Sequence, residues 1–304
     1  MKRAVFLAAA LLSAPATATT IQYANFDSTA GLQLNGNAAA ANDGSRNVLR
    51  LTPALSGQAG GAFSATPIAL SGDYSFSTRF TFNINQYGGL AGGADGLVFV
   101  IQTNPTILGG TGGGIGYEGT PNSIGIEFDT FNNGGGYNDA NDNHIGVDLG
   151  GSITSVYTLN TLPYTLKSGT DLTAWVDYDG ANDLLEVRFS DSGNRPIAAL
   201  FSYTVDLNAV LSAPNAFVGF SSGTGSGWAN HDIVNWEFRD TYAPITGGVP
   251  EPATWAMLIA GFGLVGGALR GRHRLQQVRR FFVAADRRRP GVGQFLCPGK
   301  RGDT

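Results

Sequence analysis

The strongest constraint on the fold is a succession of short β-type segments between Ile21 and Arg239, separated by clusters of Gly, Asn, Asp and Pro. This spacing predicts antiparallel strands joined by tight turns. Between Tyr74 and Phe82 aromatic and polar residues alternate, so one face is apolar. No stretch before Gly248 keeps a helical period over three turns. The predicted strands are Asn47–Leu51, Tyr74–Asn83, Gly96–Gln102, Ser123–Phe131, Ile145–Leu149, Asp171–Tyr178, Leu184–Ser190, Ala198–Val205, Ala216–Ser221 and Ile233–Phe238.

The composition agrees with an all-β fold. Among 304 residues there are 44 glycines, and charged residues make up only 14%, which suits many short strands and tight turns. The length allows one large sandwich domain plus terminal segments. We therefore predict a single antiparallel β-sandwich of about a dozen strands, with no internal repeat.

Charge is distributed unevenly along the chain. Residues 19–248 contain 20 Asp and Glu but only seven Lys and Arg, whereas residues 249–304 contain ten basic and three acidic residues. An acidic body argues against nucleic acid as a partner, because phosphate binding needs clustered Lys and Arg. Cys297 is the only cysteine, so an intrachain disulfide is excluded.

The first 18 residues have the features of an export signal. Lys2 and Arg3 precede the apolar run Ala4–Leu12, and Ala16-Thr17-Ala18 follows it. A basic start, a short apolar run and an A-x-A site together predict a signal peptide at 1–18 that signal peptidase removes. The apolar run is too short to span a bilayer.

A second pattern lies near the other end. Pro250, Glu251 and Pro252 precede the apolar run Ala253–Leu269, and an arginine cluster follows. This string resembles the PEP-CTERM sorting signal of Gram-negative bacteria. The resemblance implies an exosortase-type enzyme as partner, and a short hydrophobic helix that holds the exported protein transiently in the inner membrane. A plain membrane anchor is the alternative interpretation.

These patterns predict the following organisation: a linker at 243–252, the sorting signal at 249–274, and a basic tail at 275–304 that we expect to be disordered. The tail is a departure from the PEP-CTERM pattern, because such signals normally end the chain. It leaves open whether the signal is read normally here.

The densest group of polar residues begins in a predicted strand. Glu127 and Asp129 are two residues apart and therefore project from the same face. Adjacent carboxylates repel each other, and a cation removes that cost. Asn133 and Asp139 lie in the following Gly-rich loop, and His144 opens the next strand. Oxygen donors suit Ca²⁺, and carboxylates with an imidazole suit Mn²⁺ or another transition metal. The alternative is a solvated acidic loop.

The run Glu127-x-Asp129-Thr-Phe131-x-Asn133, followed by Asp139 and then His144-Ile-Gly, resembles the metal-binding segment of legume-type (L-type) lectins. The resemblance covers residues 19–242 and implies the concanavalin A-like jelly-roll sandwich of that family. By the same resemblance, Ca²⁺ is held by Asp129, the Phe131 carbonyl, Asn133 and Asp139. The transition metal is held by Glu127, Asp129, Asp139 and His144. The loop is one residue longer than in the common plant form, so Asp142 is an alternative to Asp139.

Further segments match the family in order. Ala94-Asp95-Gly96 resembles a segment with a cis Ala–Asp bond whose aspartate binds sugar hydroxyls. Gly112–Gly116 resembles a loop that offers a backbone N–H to sugar. The resemblance implies a carbohydrate site of Asp95, Gly113, Phe131 and Asn133. Trp228, in a loop that tunes sugar choice, is a candidate for stacking on a sugar.

We therefore expect an exported, non-enzymatic lectin at the cell envelope or in the extracellular polysaccharide matrix. One alternative is a structural or adhesive envelope protein that keeps the fold without sugar binding. A glycosidase is another alternative, but the second Glu that such enzymes carry after Asp129 is absent from Thr130–Asn133. The oligomeric state is left open, although sandwich lectins often pair through flat sheets.

Overall fold

The computed structural model describes residues 19–70 and 72–246. They form two antiparallel sheets packed face to face, which confirms the predicted all-β sandwich. The predicted signal peptide, sorting signal, C-terminal hydrophobic helix and basic tail lie outside the described residues. Within 19–70 and 72–246, no helix has the length and apolar character needed to cross a membrane.

One sheet, here called the back sheet, has the order β14-β13-β12-β7-β16-β4-β3, with β1 added beside β16. Strands are numbered in chain order over the whole molecule. The back-sheet strands are β1 (Thr20–Tyr23), β3 (Ala39–Asn42), β4 (Asn47–Thr52), β7 (Phe76–Gly89), β12 (Leu172–Asp179), β13 (Leu184–Ser190), β14 (Phe201–Thr204) and β16 (Gly227–Arg239).

The other sheet, here called the front sheet, has the order β11-β10-β9-β8-β15-β5-β2, with β6 paired to β15. One short helix, α1 (Leu207–Leu211), precedes β15. The front-sheet strands are β2 (Leu32–Gly36), β5 (Ala59–Ser64), β6 (Ile68–Ala69), β8 (Gly96–Gln102), β9 (Ser123–Asp129), β10 (His144–Leu149), β11 (Tyr157–Leu159) and β15 (Asn215–Gly223).

The space between the sheets is filled largely by aromatic rings. The Phe80 ring from the back sheet meets the edge of Phe220 at 4.9 Å between centroids, and it meets Phe128 at 5.7 Å. Trp236 packs against Phe220 at 5.0 Å. Because neighbours along a strand point to opposite faces, burying Phe128 in this core turns Glu127 and Asp129 to the outer face of the front sheet.

A second apolar cluster lies on that outer face. Val98 and Val100 of β8 pack there against Ile115 and Tyr117 of the Gly-rich segment 109–120. The Tyr117 hydroxyl donates to the Asp148 carbonyl at 3.2 Å. These buried contacts hold the Gly-rich segment across the front sheet and next to the polar end of β9.

The core assignment gives a first prediction. Phe80→Ala should lower the free energy of unfolding by about 3–5 kcal/mol, because a fully buried ring is lost and a cavity remains. The matched control is Ile197→Ala, whose side chain is 100% exposed and whose loss should cost less than about 0.5 kcal/mol. Chemical unfolding of both variants provides the measurement. Equal effects would contradict this assignment of the core.

Candidate metal and carbohydrate site

Three neighbouring strands place the candidate side chains at one end of the front sheet. Asp129 of β9 lies opposite His144 of β10 on one side and Gly96 of β8 on the other. Asp95 directly precedes Gly96 in the chain. The register of three antiparallel strands therefore brings together residues that are almost 50 positions apart in sequence.

The acidic residues at this position are buried. Glu127 is 2% exposed, Asp129 3% and Asp139 7%, and His144 is fully buried. The His144 Nε2 atom lies 3.3 Å from Asp139 Oδ1 and 3.7 Å from Glu127 Oε1. One ligand atom each from Asp129, Asp139 and His144 falls within 4.8 Å of the others. This is a possible Asp/Asp/His metal site.

The loop after β9 is folded around these carboxylates. Asp129 Oδ1 accepts a hydrogen bond from the Phe131 N–H at 2.6 Å, and Asp139 Oδ2 accepts one from the Asn133 N–H at 2.8 Å. Asn133 Oδ1 is buried and accepts no hydrogen bond from the described residues. A buried acceptor without a donor is costly, so this oxygen has the character of a ligand atom.

The electrostatics of the site call for a positive charge. Burial and the neighbouring Glu127 raise the pKa of Asp129 well above its usual value. Burial disfavours the His144 imidazolium, but the Asp139 and Glu127 carboxylates outweigh it and raise the pKa of His144 to about 10. Several buried carboxylates thus face one imidazole. The donor set and the orphaned Asn133 oxygen fit divalent cations of the kind that take oxygen and imidazole ligands.

Two residues at this site, Ser155 and Asp148, were not predicted from the sequence. Ser155 places its hydroxyl between Glu127 Oε1 and Asp148 Oδ1, the second at 2.8 Å. Burial and Glu127 raise the pKa of Asp148 well above its usual value. Strand alternation could have indicated Asp148, since it shares a face with His144. A Cβ atom at Gly146 would lie 2.2 Å from Glu127 Oε1; glycine here leaves room for the Ser155 contact.

The two rival aspartates of the loop are placed differently. Asp139 is buried and points to His144, as described above. The Asp142 side chain is 56% exposed and pairs with Lys167 Nζ at 3.3 Å. The structure thus brings Asp139 to the acidic cluster and leaves Asp142 outside it.

The carbohydrate candidates converge beside the cluster. The Ala94–Asp95 peptide bond is cis, and the Asp95 carbonyl accepts from the Thr130 N–H at 2.9 Å. Asp95 Oδ2 is buried without a hydrogen-bond partner in the described part of the chain. Burial raises the pKa of Asp95 to about 6, partly offset by the Gly225 N–H and by Lys167.

The Gly-rich segment closes the site. A Cβ atom at Gly113 would lie 2.5 Å from Asn133 Nδ2, so any other residue here would require the Asn133 amide to move. Phe131 is half-buried and belongs to neither buried apolar cluster, which leaves part of its ring accessible. The Trp228 indole packs on the backbone of Gly88 and Gly89. A Cβ atom at Gly88 would lie 3.1 Å from the indole ring, and one at Gly89 would lie 2.5 Å from it.

The fold and site define a lectin-type sandwich, and the sequence comparisons agree. The legume lectin domain family matches residues 18–248, and the PEP-CTERM protein-sorting motif matches residues 248–274. The chain therefore belongs to the legume lectin family and carries a PEP-CTERM motif, as the sequence predicted.

Curated relatives are plant receptor kinases with an L-type lectin domain. Receptor kinase S.7 of Oryza sativa subsp. japonica is 31% identical over 280 residues, which is 82% of this chain and 39% of the relative. Receptor kinase VIII.1 of Arabidopsis thaliana is 34% identical over 187 residues, which is 59% of this chain and 26% of the relative. The chain thus spans well under half the length of these relatives.

Solved structures show the same likeness. The lectin from Bauhinia forficata in complex with GalNAc has a TM-score of 0.63 and 28% identity, covering 74% of this chain and 99% of that one. The metal-free form of lectin I-B4 from Griffonia simplicifolia has a TM-score of 0.62 and 27% identity, covering 72% and 98%.

The placement of the two aspartates gives a second prediction. Asp139→Ala should reduce the bound divalent metal of the purified protein to a small fraction of wild type, because a buried candidate ligand is lost. Asp142→Ala should retain the metal, since its carboxylate is exposed and faces Lys167. Elemental analysis after gel filtration measures both. The reverse pattern would transfer the ligand role to Asp142.

Proposed function

We propose that this protein is an exported carbohydrate-binding protein whose saccharide site is organised by Ca²⁺ and by Mn²⁺ or a similar transition metal. The observation that carries the proposal is the juxtaposition of two features. One is the buried acidic cluster around His144. The other is a pair of acceptor oxygens directly beside it, on Asp95 and Asn133, that have no hydrogen-bond partner among residues 19–70 and 72–246.

The proposed metal ligands fall into two sets according to their donor atoms. Hard oxygen donors from Asp129, Asn133, Asp139 and the Phe131 carbonyl suit Ca²⁺. The carboxylates of Glu127, Asp129 and Asp139 with the His144 imidazole suit the transition metal. When bound, the cations would supply the positive charge that lets the buried carboxylates stay ionised. Coordination needs a neutral imidazole, so metal binding should release the proton that His144 otherwise holds.

The saccharide contacts are proposed on the other side of this cluster. The Asp95 carboxylate would accept hydrogen bonds from sugar hydroxyls, and the Asn133 amide would add a polar contact. Gly113 would donate a backbone N–H, and the accessible part of Phe131 would face the apolar side of a sugar ring. In support, a structural relative at 28% identity, the Bauhinia forficata lectin, was solved with GalNAc.

The burial of the acidic residues supports a non-enzymatic role. A retaining glycosidase needs two carboxyl groups about 5 Å apart on either side of the scissile bond. Glu127 and Asp129 are almost entirely buried, and Glu127 is engaged by Ser155 and close to His144. Their burial favours a role as metal ligands over a role as an acid and a nucleophile that face substrate.

The two end segments support a binding activity that is exerted outside the cytoplasm. We propose removal of residues 1–18 by signal peptidase and recognition of Pro250, Glu251 and Pro252 by an exosortase-type enzyme. The PEP-CTERM match to residues 248–274 supports the second step. The lectin domain would then act at the cell envelope or in the extracellular polysaccharide matrix.

Asp95 gives the third prediction. Asp95→Ala should weaken glycan binding by about 30-fold or more, because a charged acceptor of sugar hydroxyls is lost, while folding and metal content stay at wild-type levels. Asp191→Ala, an exposed aspartate on a turn, is the control and should bind as wild type. Glycan arrays with and without EDTA provide the measurement.

The same arrays separate the alternatives. Binding that EDTA abolishes supports the proposal. Release of free sugar would indicate a glycosidase instead, and absence of both binding and release would indicate a structural or adhesive envelope protein. Full binding by Asp95→Ala would contradict the assignment of the saccharide site.

A further inference from the structure

Lys167 is the only lysine between residues 19 and 246, and its amine is directed into the molecule. The side chain is only 11% exposed. Its Nζ donates to the Thr130 carbonyl at 2.8 Å, to the Gly93 carbonyl at 3.1 Å and to Asp142 Oδ2 at 3.3 Å. An ammonium has three donors, so these acceptors use all of them.

The three acceptors belong to separate segments around the proposed saccharide site. Gly93 comes just before Ala94–Asp95. Thr130 directly follows Asp129 and begins the loop that carries Asn133. Asp142 lies near the end of that loop. One ammonium therefore joins the segment that carries Asp95 to both ends of the loop that carries Asn133.

The segment that carries Lys167 is itself firmly anchored. Leu166 is fully buried, and its N–H donates to Asn143 Oδ1 at 2.8 Å. Asn143 Nδ2 returns a hydrogen bond to the Tyr164 carbonyl at 3.1 Å. On the other side, the Gly169 N–H donates to the Ile84 carbonyl of β7 at 3.1 Å. The position of the Lys167 amine is thus fixed by backbone anchors on both sides of it in the chain.

We propose that Lys167 is a positioning residue for saccharide binding, which fixes Asp95 relative to Asn133 without touching sugar or metal. The inference rests on the proposed function and deepens it. The carbonyls of Gly93 and Thr130 converge on one point, and without a cation their partial negative charges would repel each other and let the two segments separate. Lys167 donates to none of the residues in the Asp129, Asp139 and His144 cluster. Its one carboxylate partner is Asp142, the rival aspartate that lies outside that cluster, so its effect is separable from metal binding there.

The direct test is amide hydrogen exchange on the full mature chain, because the Thr130 N–H bonds to the Asp95 carbonyl across the two segments. Lys167→Met should speed exchange at Thr130 about tenfold or more, the equivalent of losing one charge-assisted hydrogen bond. Amides of β12, such as Trp175, should be unchanged. Ser168→Ala is the matched control, since its hydroxyl pairs only with Thr170.

Lys167→Arg provides the graded variant, and it serves alone if Lys167→Met does not fold. A guanidinium can still donate to two carbonyls, so exchange at Thr130 should lie between wild type and Lys167→Met. If the Thr130 amide of the Lys167 variant exchanges at the wild-type rate, the proposal is wrong. Uniformly faster exchange in every strand would also overturn it, because that is the signature of a general loss of stability.

A second measurement links this residue to binding. On a glycan bound by the wild type, Lys167→Met should bind about tenfold more weakly with the same metal content. Loss of metal in this variant, or unchanged affinity, would contradict the positioning role. If the wild type binds no glycan at all, the proposed function fails, and the exchange measurement still decides whether Lys167 couples the two segments.

Discussion

The structure around β9 depends on an imbalance of buried charge. Three carboxylates, those of Glu127, Asp129 and Asp139, are buried around the imidazole of His144, and a fourth, Asp148, is buried beyond Glu127 and shares the Ser155 hydroxyl with it. Removing carboxylates from water is expensive unless they are neutralised. The cost shows in the pKa values of Asp129 and Asp148, which burial and the neighbouring Glu127 raise well above their usual range. Divalent cations would offset that cost with the carboxylates ionised, and this requirement links the fold to the proposed function.

The sandwich creates the imbalance through strand geometry. Phe128 belongs to the aromatic core, so its neighbours Glu127 and Asp129 must face outward. The Gly-rich segment then covers that outer face through buried Ile115 and Tyr117. The carboxylates are therefore enclosed on a face that would otherwise be open to solvent. Asp95 lies at the same end of the sheet because it directly precedes the adjacent strand β8.

Much of this could be predicted from sequence because the signals are local. Short β-type runs between clusters of turn residues located ten strands, all of which overlap strands of the structure. The ten runs do not include β3 and β5, whose Ala- and Gly-rich sequences give little contrast between apolar and polar positions. Spacing alone left both Asp139 and Asp142 as candidates for the metal ligand. In the structure Asp139 is buried in the acidic cluster, whereas Asp142 is exposed. The role of Lys167 could not be predicted from the sequence, because its acceptors lie 25 or more positions away. Two of them are backbone carbonyls, which every residue has and which therefore give no sequence signal.

The most direct test is a crystal structure grown with Ca²⁺ and Mn²⁺, with anomalous data collected on both sides of the manganese absorption edge. One anomalous peak that is lost below the manganese edge is expected among Glu127, Asp129, Asp139 and His144, with a neighbouring calcium bound through Asn133. A well-ordered site that holds no ion, with the Glu127 and Asp129 carboxylates instead paired to protein groups or water, would contradict this assignment.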